Sequence, residues 1–470
     1  MTKQMTSHLL SLKYKNITLF SMQKIILGFL LFFFFTIKSQ IIPAYETFSL
    51  KNGLKVYLLQ YGNIPAINVK LVLNTGKANE TPGQQNYSDI VSSAMLMGNA
   101  KYDAETQKNK AFALGTVLAA SSSNDNTTIE MNILSKDLDA GMELMSAAVL
   151  TPSFPKDKMD LLISQNIDFN SPTKMDIDEL SSVFSNYFIY GISNPLGRYF
   201  YKTQIQKITP LIIKEYYDFN FTPKNANLII CGSFDVATIK PIIEKYYGSW
   251  KSEFGGANGV SLETSSIKKR EIGFVNRAGA TQCALQWNKI SPAINDKDQL
   301  AFSLANSIFN EVLFKEIREK GGKTYSISSS QRTSKYSNLF SVRCSVRSSE
   351  LVNTIELFDK TLTDFSSNSI DEAKFKEAVY KRIISIKKME SPDEVSSYYN
   401  PLIYNFEKRK KSIEELNALT IDDLNKVIKK YFIPNSYKLV IAGDDKKVAD
   451  QLTKINSLVK FSASDIEKDN

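Results

Sequence analysis

Hydrophobic and polar positions alternate along much of the chain and switch period in a regular order. After the Asn52-Gly53 turn signal, Leu54, Val56 and Leu58 alternate with polar neighbours, which predicts the second arm of a hairpin. Ile67, Val69, Leu71 and Leu73 repeat every second residue and predict a strand, as does TTIEMNIL from Thr127 to Leu134. Helical spacing replaces alternation over Tyr87 to Leu96, Ala104 to Leu114 and Asp137 to Leu150. Strands and helices arrive in clusters, so the expected class is α+β, with helices packed on one face of a mainly antiparallel sheet.

The same order occurs twice. Ile208 to Asp235 (ITPLIIKEYYDFNFTPKNANLIICGSFD) is echoed by Leu419 to Lys446 (LTIDDLNKVIKKYFIPNSYKLVIAGDDK). Thr209 and Thr420, Phe221 and Phe432, Pro223 and Pro434, and Gly232 and Gly443 all share an offset of 211. Each copy reads as an amphipathic helix, a proline-marked turn and a buried strand ending in glycine. A period this long predicts two similar domains rather than a solenoid. The small, polar stretch GGANGVSLETSS, residues 255–266, is the expected linker between domains 41–254 and 267–470.

Composition narrows the class of protein. The 470 residues are 43% hydrophobic and 23% charged, which excludes whole-chain disorder, collagen and a polytopic membrane protein. The net charge of +9 includes Lys3, Lys13, Lys15, Lys24 and Lys38; without residues 1–40 the excess falls to +4 and gives no reason to expect nucleic acid. In that segment Ile25 to Ile37 is an apolar run flanked by Lys24 and Lys38, shorter than the ~20 residues a spanning helix needs. It reads as a secretory signal ending near Ser39-Gln40, with Met1 or Met22 as the start, and an uncleaved anchor as the other reading. The expected location is the periplasm or cell envelope, with membrane contact only through that segment.

Chemistry-bearing residues are scarce. The single histidine is His8, inside the expected signal. Cys231, Cys283 and Cys344 sit in strand-like apolar runs, too few and too scattered for a disulfide framework or a structural zinc site, and read as small buried residues. GGKT does not close a phosphate loop, because Ile317 stands where that motif needs glycine. No serine–lysine dyad can be placed.

Several segments together resemble the insulinase/pitrilysin-type metallopeptidases, a group that includes mitochondrial processing peptidase and the respiratory-complex core proteins. They are NGLKVYLLQYGNIPAINVKLVLNTGKANE, ALGTVLAASSSNDNTTIEMNILSKDLDAGMELMSAAVLTPSF, EVLFKEIREKGGKTYSISSS and the two closing repeats. The resemblance covers nearly all of residues 45–460 and implies the LuxS/insulinase-like metalloenzyme fold in both domains. Active members carry H-x-x-E-H, in which two imidazoles one helical turn apart hold zinc and the glutamate deprotonates bound water. Here that motif falls on Asp89-Ile90-Val91-Ser92-Ser93, so Asp89, Ser92 and Ser93 take the place of both histidines and the glutamate. Downstream, ISQNIDFN offers only Asp168 as a carboxylate. No zinc is expected on this chain.

The resemblance also implies what remains. Arg318 and Tyr325 match a pair with which two-subunit family members grip substrate; the bland alternatives are a surface arginine and a core aromatic. Lys320, Gly321 and Gly322 would turn the chain between them. Ala120, Ser121 and Ser122 match an edge strand to which substrate adds as a further strand, the alternative being a plain edge. The expected function is therefore a catalytically inactive subunit of a heterodimeric zinc-dependent peptidase. An H-x-x-E-H homologue would supply the zinc, and an unfolded peptide would be the substrate. The competing expectation is a stand-alone structural or peptide-binding protein of the cell envelope.

Overall fold

The computed structural model describes residues 45–466 except 200–201, 253, 256–266, 334, 336–337 and 400–410. The expected signal segment and nearly all of the expected linker lie outside the described residues. Two six-stranded sheets organise the rest. The first contains β1 (Tyr45–Ser49), β2 (Lys55–Gln60), β3 (Ala66–Leu73), β4 (Ala119–Ser122), β5 (Thr127–Leu134) and β6 (Ala226–Gly232), in the order β1-β2-β6-β3-β5-β4. The second contains β7 (Glu271–Asn276), β8 (Gln282–Ile290), β9 (Thr324–Thr333), β10 (Asn338–Arg347), β11 (Lys438–Gly443) and β12 (Leu458–Phe461), in the order β12-β7-β11-β8-β10-β9. In each, one central pair is parallel, β2/β6 and β7/β11, and the pairs from there to β4 or β9 are antiparallel. The sheets differ at the far edge: β1 is antiparallel to β2, whereas β12 is parallel to β7.

The repeat has a physical basis in both copies. Thr209 and Thr420 cap the Pro210–Asn220 and Ile421–Tyr431 helices, accepting from Ile212 N at 3.3 Å and Asp423 N at 3.2 Å. Phe221 and Phe432 close those helices as buried rings. Gly232 ends β6 with φ +143°, and a Cβ there would run into the backbone of Ala66 and Ile67. The predicted hairpin is also present. Ser49 pairs with Lys55, and Asn52 braces the turn, donating to Tyr247 O at 2.7 Å and Trp250 O at 3.0 Å. The three cysteines are buried and unbridged.

From Tyr45 onward both sheets belong to one compact unit. Each packs its own helices on one face: Val69, Leu71, Leu228 and Ile230 in the first core, Leu285, Trp287, Leu439 and Ile441 in the second. The opposite face of each is covered by a helix lent from the other half. Helix Ile177–Tyr190 lays Leu180 and Phe184 on Val275, Ala284, Val440 and Ala442. Helix Pro392–Tyr398 returns the exchange through polar contacts, with Ser396 Oγ donating to Asn68 Oδ1 at 2.6 Å and Lys70 Nζ donating to Ser397 Oγ at 2.7 Å. The two halves are therefore sequential in the chain but interlocked in space. Among the described residues no helix is long and apolar enough to cross a membrane.

Candidate functional site

The Tyr87–Ala94 helix carries the degenerate motif. Asp89 is solvent-accessible, yet the surrounding protein raises its pKa by desolvation, with Lys77 opposing. Ser92 is buried, and its Oγ donates back to Asp89 O at 2.8 Å. Ser93 is half-buried. Glu80 sits under the start of this helix and accepts from Ser88 N at 2.9 Å, Ser88 Oγ at 2.6 Å and Asn86 N at 3.1 Å. Burial pushes its carboxyl up to about 7, against the Ser88 hydrogen bonds and Lys77.

Zinc of the family's type does not fit these residues. The motif positions offer one carboxylate and two hydroxyls, and one of those hydroxyls is spent on the helix backbone. Among the described residues no three His, Cys, Asp or Glu side chains converge to hold a metal. Asp168 does not complete the set: it is exposed and ion-paired with Lys174 at 2.6 Å, which lowers its pKa. On that helix, Lys156–Phe169, Asn166 Oδ1 accepts from Nδ2 of Asn86, the residue that caps the motif helix, at 3.3 Å.

Ala120, Ser121 and Ser122 lie on β4, the outer strand of the first sheet, which among the described residues pairs with β5 alone. Ser121 is exposed, Ser122 is half-buried, and Ala120 packs partly onto the core. The strand ends in a turn in which Ser123 N donates to Asn126 O at 2.8 Å. The Gly76–Asn79 segment is zipped to that turn: Lys77 N donates to Ser123 O and Ala78 N to Asn124 O, both at 2.9 Å. Gly76 permits this approach, since a Cβ there would sit 2.7 Å from Asn126 N and closer still to Ser123 O. An edge with exposed backbone can accept an added strand.

Arg318 and Tyr325 flank one turn of the second half. The Gln299–Leu313 helix continues into a π-helical segment, Phe314–Lys320. Within it the Arg318 guanidinium lies 4.5 Å from the Phe314 ring centroid. Gly322, at φ +59°, reverses the chain, with Gly322 N donating to Arg318 O and Lys323 N to Ile317 O, both at 3.2 Å. Tyr325 follows at the start of β9 and is 87% exposed, so it is no core aromatic. Among the described residues neither the guanidinium nor the phenol makes a hydrogen bond or ion pair. Sequence reasoning missed the aromatic ring under Arg318, although Phe314 stands one helical turn before it.

The fold is that of a two-lobed peptidase-type protein. Residues 56–170 match the family described as insulinase (peptidase family M16), and residues 207–381 match the one described as peptidase M16 inactive domain. The chain belongs to the insulinase (M16) family. A zinc protease named PqqE from Helicobacter pylori is 22% identical over 285 residues, 57% of this chain and 62% of that protein. The match therefore spans less than two thirds of that relative's length. A structure of a peptidase M16 inactive domain from Pseudomonas fluorescens superposes with TM-score 0.78 at 18% identity, covering 85% of this chain and 98% of that one. The periplasmic protease PqqL from Escherichia coli superposes with TM-score 0.74 at 16% identity, over 86% of this chain but 46% of PqqL.

Proposed function

We propose that this chain is the non-catalytic subunit of a two-subunit, zinc-dependent peptidase of the cell envelope. The observation that carries the reading is an asymmetry. The motif helix presents Asp89, Ser92 and Ser93 where a hydrolase needs two imidazoles and a glutamate, while Arg318 and Tyr325 stand uncommitted around a glycine turn. The length relation to PqqL supports it, since this chain matches slightly less than half of that protease. A homologous H-x-x-E-H subunit would supply the other half, with zinc, water and general base.

In such a pair the Arg318 fork would hold a backbone carbonyl or terminal carboxylate of the bound peptide. The Tyr325 phenol would donate to oxygen at the reacting carbonyl. The periplasmic setting of PqqL and the apolar run at Ile25 to Ile37 support an exported location.

The test is peptidase activity of the purified chain, alone and mixed with an H-x-x-E-H homologue encoded beside it. The reading expects no activity alone, activity in the mixture, and loss of turnover with Arg318→Ala. Activity and bound zinc in the isolated chain would defeat it. A mixture that binds peptide but never cleaves it favours the stand-alone peptide-binding alternative.

A further inference from the structure

A cavity of about 680 Å³ opens beside the β1–β2 turn of the first half, a size that suits a small-molecule ligand. Its floor is aromatic: Tyr217, Phe221 and Trp250 line it, and all three are buried. Phe254 forms part of its wall, is 47% exposed, and lies 5.6 Å from the ring of Phe219, which is itself exposed. Two neighbouring rings left in water at the side of a cavity are apolar surface that a ligand would cover.

Lys51, Lys224 and Lys251 line the same cavity, and all three are exposed. Direct contacts hold them around it. Asn52, next to Lys51, donates to the carbonyl of Trp250, next to Lys251, at 3.0 Å. Lys224 lies against Gly53, where an added Cβ would sit 2.9 Å from Lys224 Cγ. Among the described residues none of the three lysines makes an ion pair or a side-chain hydrogen bond. Asp218 is the carboxylate among the lining residues, and it is paired with Lys214 at 2.5 Å. Glu253 lies outside the described residues. The repeat does not require this lining. At the offset of 211 the second half keeps Phe432 for Phe221 and Pro434 for Pro223, but has Ile428, Lys430 and Asn435 for Tyr217, Phe219 and Lys224. The helix end and turn are common to both copies, whereas the extra rings and the rim lysine are particular to the first.

We propose that this cavity binds a small aromatic phosphate monoester, its ring against Trp250 and Phe254 and its phosphate among Lys51, Lys224 and Lys251. Aromatic walls favour a flat ring, which can stack or meet them edge to face. Three ammonium groups without an arginine favour phosphate over carboxylate. Lysine acts as a compact point charge, whereas a planar carboxylate is held best by a guanidinium fork. A phosphate monoester also brings about 1.5 to 2 negative charges near neutral pH, enough to engage more than one lysine. The site shares no residue with the motif helix, with β4 or with the turn between Arg318 and Tyr325, and it needs no partner subunit.

The experiment is isothermal titration calorimetry on the full chain without any partner. The probes are 2-naphthyl phosphate, 2-naphthoate, 2-naphthol and inorganic phosphate. Naphthyl phosphate is expected to bind at least about tenfold more tightly than each of the other three. Lys51→Gln, Lys224→Gln and Lys251→Gln should each weaken it about three- to tenfold and leave naphthol unchanged. Phe254→Ser should weaken naphthyl phosphate and naphthol alike. Lys429→Gln, exposed on a helix of the second half, controls for net charge and should change nothing. All of these side chains are exposed, and circular dichroism checks that the variants fold. Naphthol binding as tightly as naphthyl phosphate would make the cavity an apolar trap only. Inorganic phosphate binding as tightly would make it a site for an adventitious ion only, and naphthoate binding as tightly would remove the preference for phosphate. Any of these results, no binding at all, or full affinity in all three lysine variants would overturn the proposal. Because no partner is present, each of them leaves the two-subunit reading intact, and failure of that reading leaves this one intact.

Discussion

Lys70 Nζ lies 3.0 Å from Asp393 Oδ1, joining the middle of the first sheet to a helix lent by the second half. Lys70 is 3% exposed and also reaches Glu130 Oε2 at 3.1 Å and Ser397 Oγ at 2.7 Å. Asn68 adds to the same clasp, and Tyr61 OH donates to Met389 O beside it. The reciprocal contact, around Phe184, is apolar. Polar partners fix register, because each buried donor left without its acceptor is costly. Lys70→Ala is expected to lower stability by about 2–4 kcal/mol, and Asp393→Asn by about 1 kcal/mol, since Asp393 is half-exposed and Glu130 remains. Urea unfolding measures both; equal, negligible losses would show that the clasp does not hold the halves.

Glu80 makes stability depend on pH. Its carboxyl titrates near 7 in the fold against an ordinary value of 4.5. Between those values the folded chain binds a proton that the unfolded chain has lost, so this group's contribution falls as pH rises through the window and is flat above it. The fall is about 3 kcal/mol. Glu80→Gln keeps an acceptor for the Ser88 and Asn86 amides but cannot ionise. The stability of wild type relative to Glu80→Gln should therefore decline from pH 4.5 to 7.5 in chemical denaturation. A constant difference would mean that Glu80 ionises normally.

On the proposed reading Phe314 positions Arg318. With the ring 4.5 Å from the guanidinium, Phe314→Leu removes a cation–π contact worth about 0.5–1 kcal/mol at an exposed site. Turnover of the proposed two-subunit enzyme is expected to fall about two- to fivefold, and Phe314→Trp should restore it. Thermal stability should hardly move. Loss of stability without rescue by tryptophan would make the ring a packing residue only.

Gly76 sets how closely the Gly76–Asn79 segment meets β4. Gly76→Ala places a methyl against the backbone of Ser123 and Asn126, which cannot rotate away, and should cost about 1–3 kcal/mol. Hydrogen exchange at Ala78 N, bonded to Asn124 O, should accelerate. An unchanged exchange rate would mean that the segment yields without unzipping.

Much of the scaffold was legible because it rests on local rules. Thr209 and Thr420 are helix caps, Phe221 and Phe432 are buried helix ends, and the Asn52-Gly53 hairpin forms as read. The exchange of helices was not legible. Alternation in β3 tells which residues face the first core, but it cannot say that Asn68 and Lys70, polar and therefore expected outside, are buried under Pro392–Tyr398. Asp168 was the natural carboxylate to consider, yet helical rotation brings Asn166 to Asn86, the cap of the motif helix, and leaves Asp168 with Lys174. The tie between Asp125 and Lys335 joins residues far apart in sequence and unmarked by any motif.

The central claim is that this polypeptide lends binding surface and no metal chemistry. Metal analysis of the purified two-subunit complex, beside each subunit alone, addresses it most directly. The account predicts one zinc per pair, retained by the H-x-x-E-H subunit and absent from this chain. Two zinc ions per pair, or a tightly held zinc in this chain alone, would contradict it.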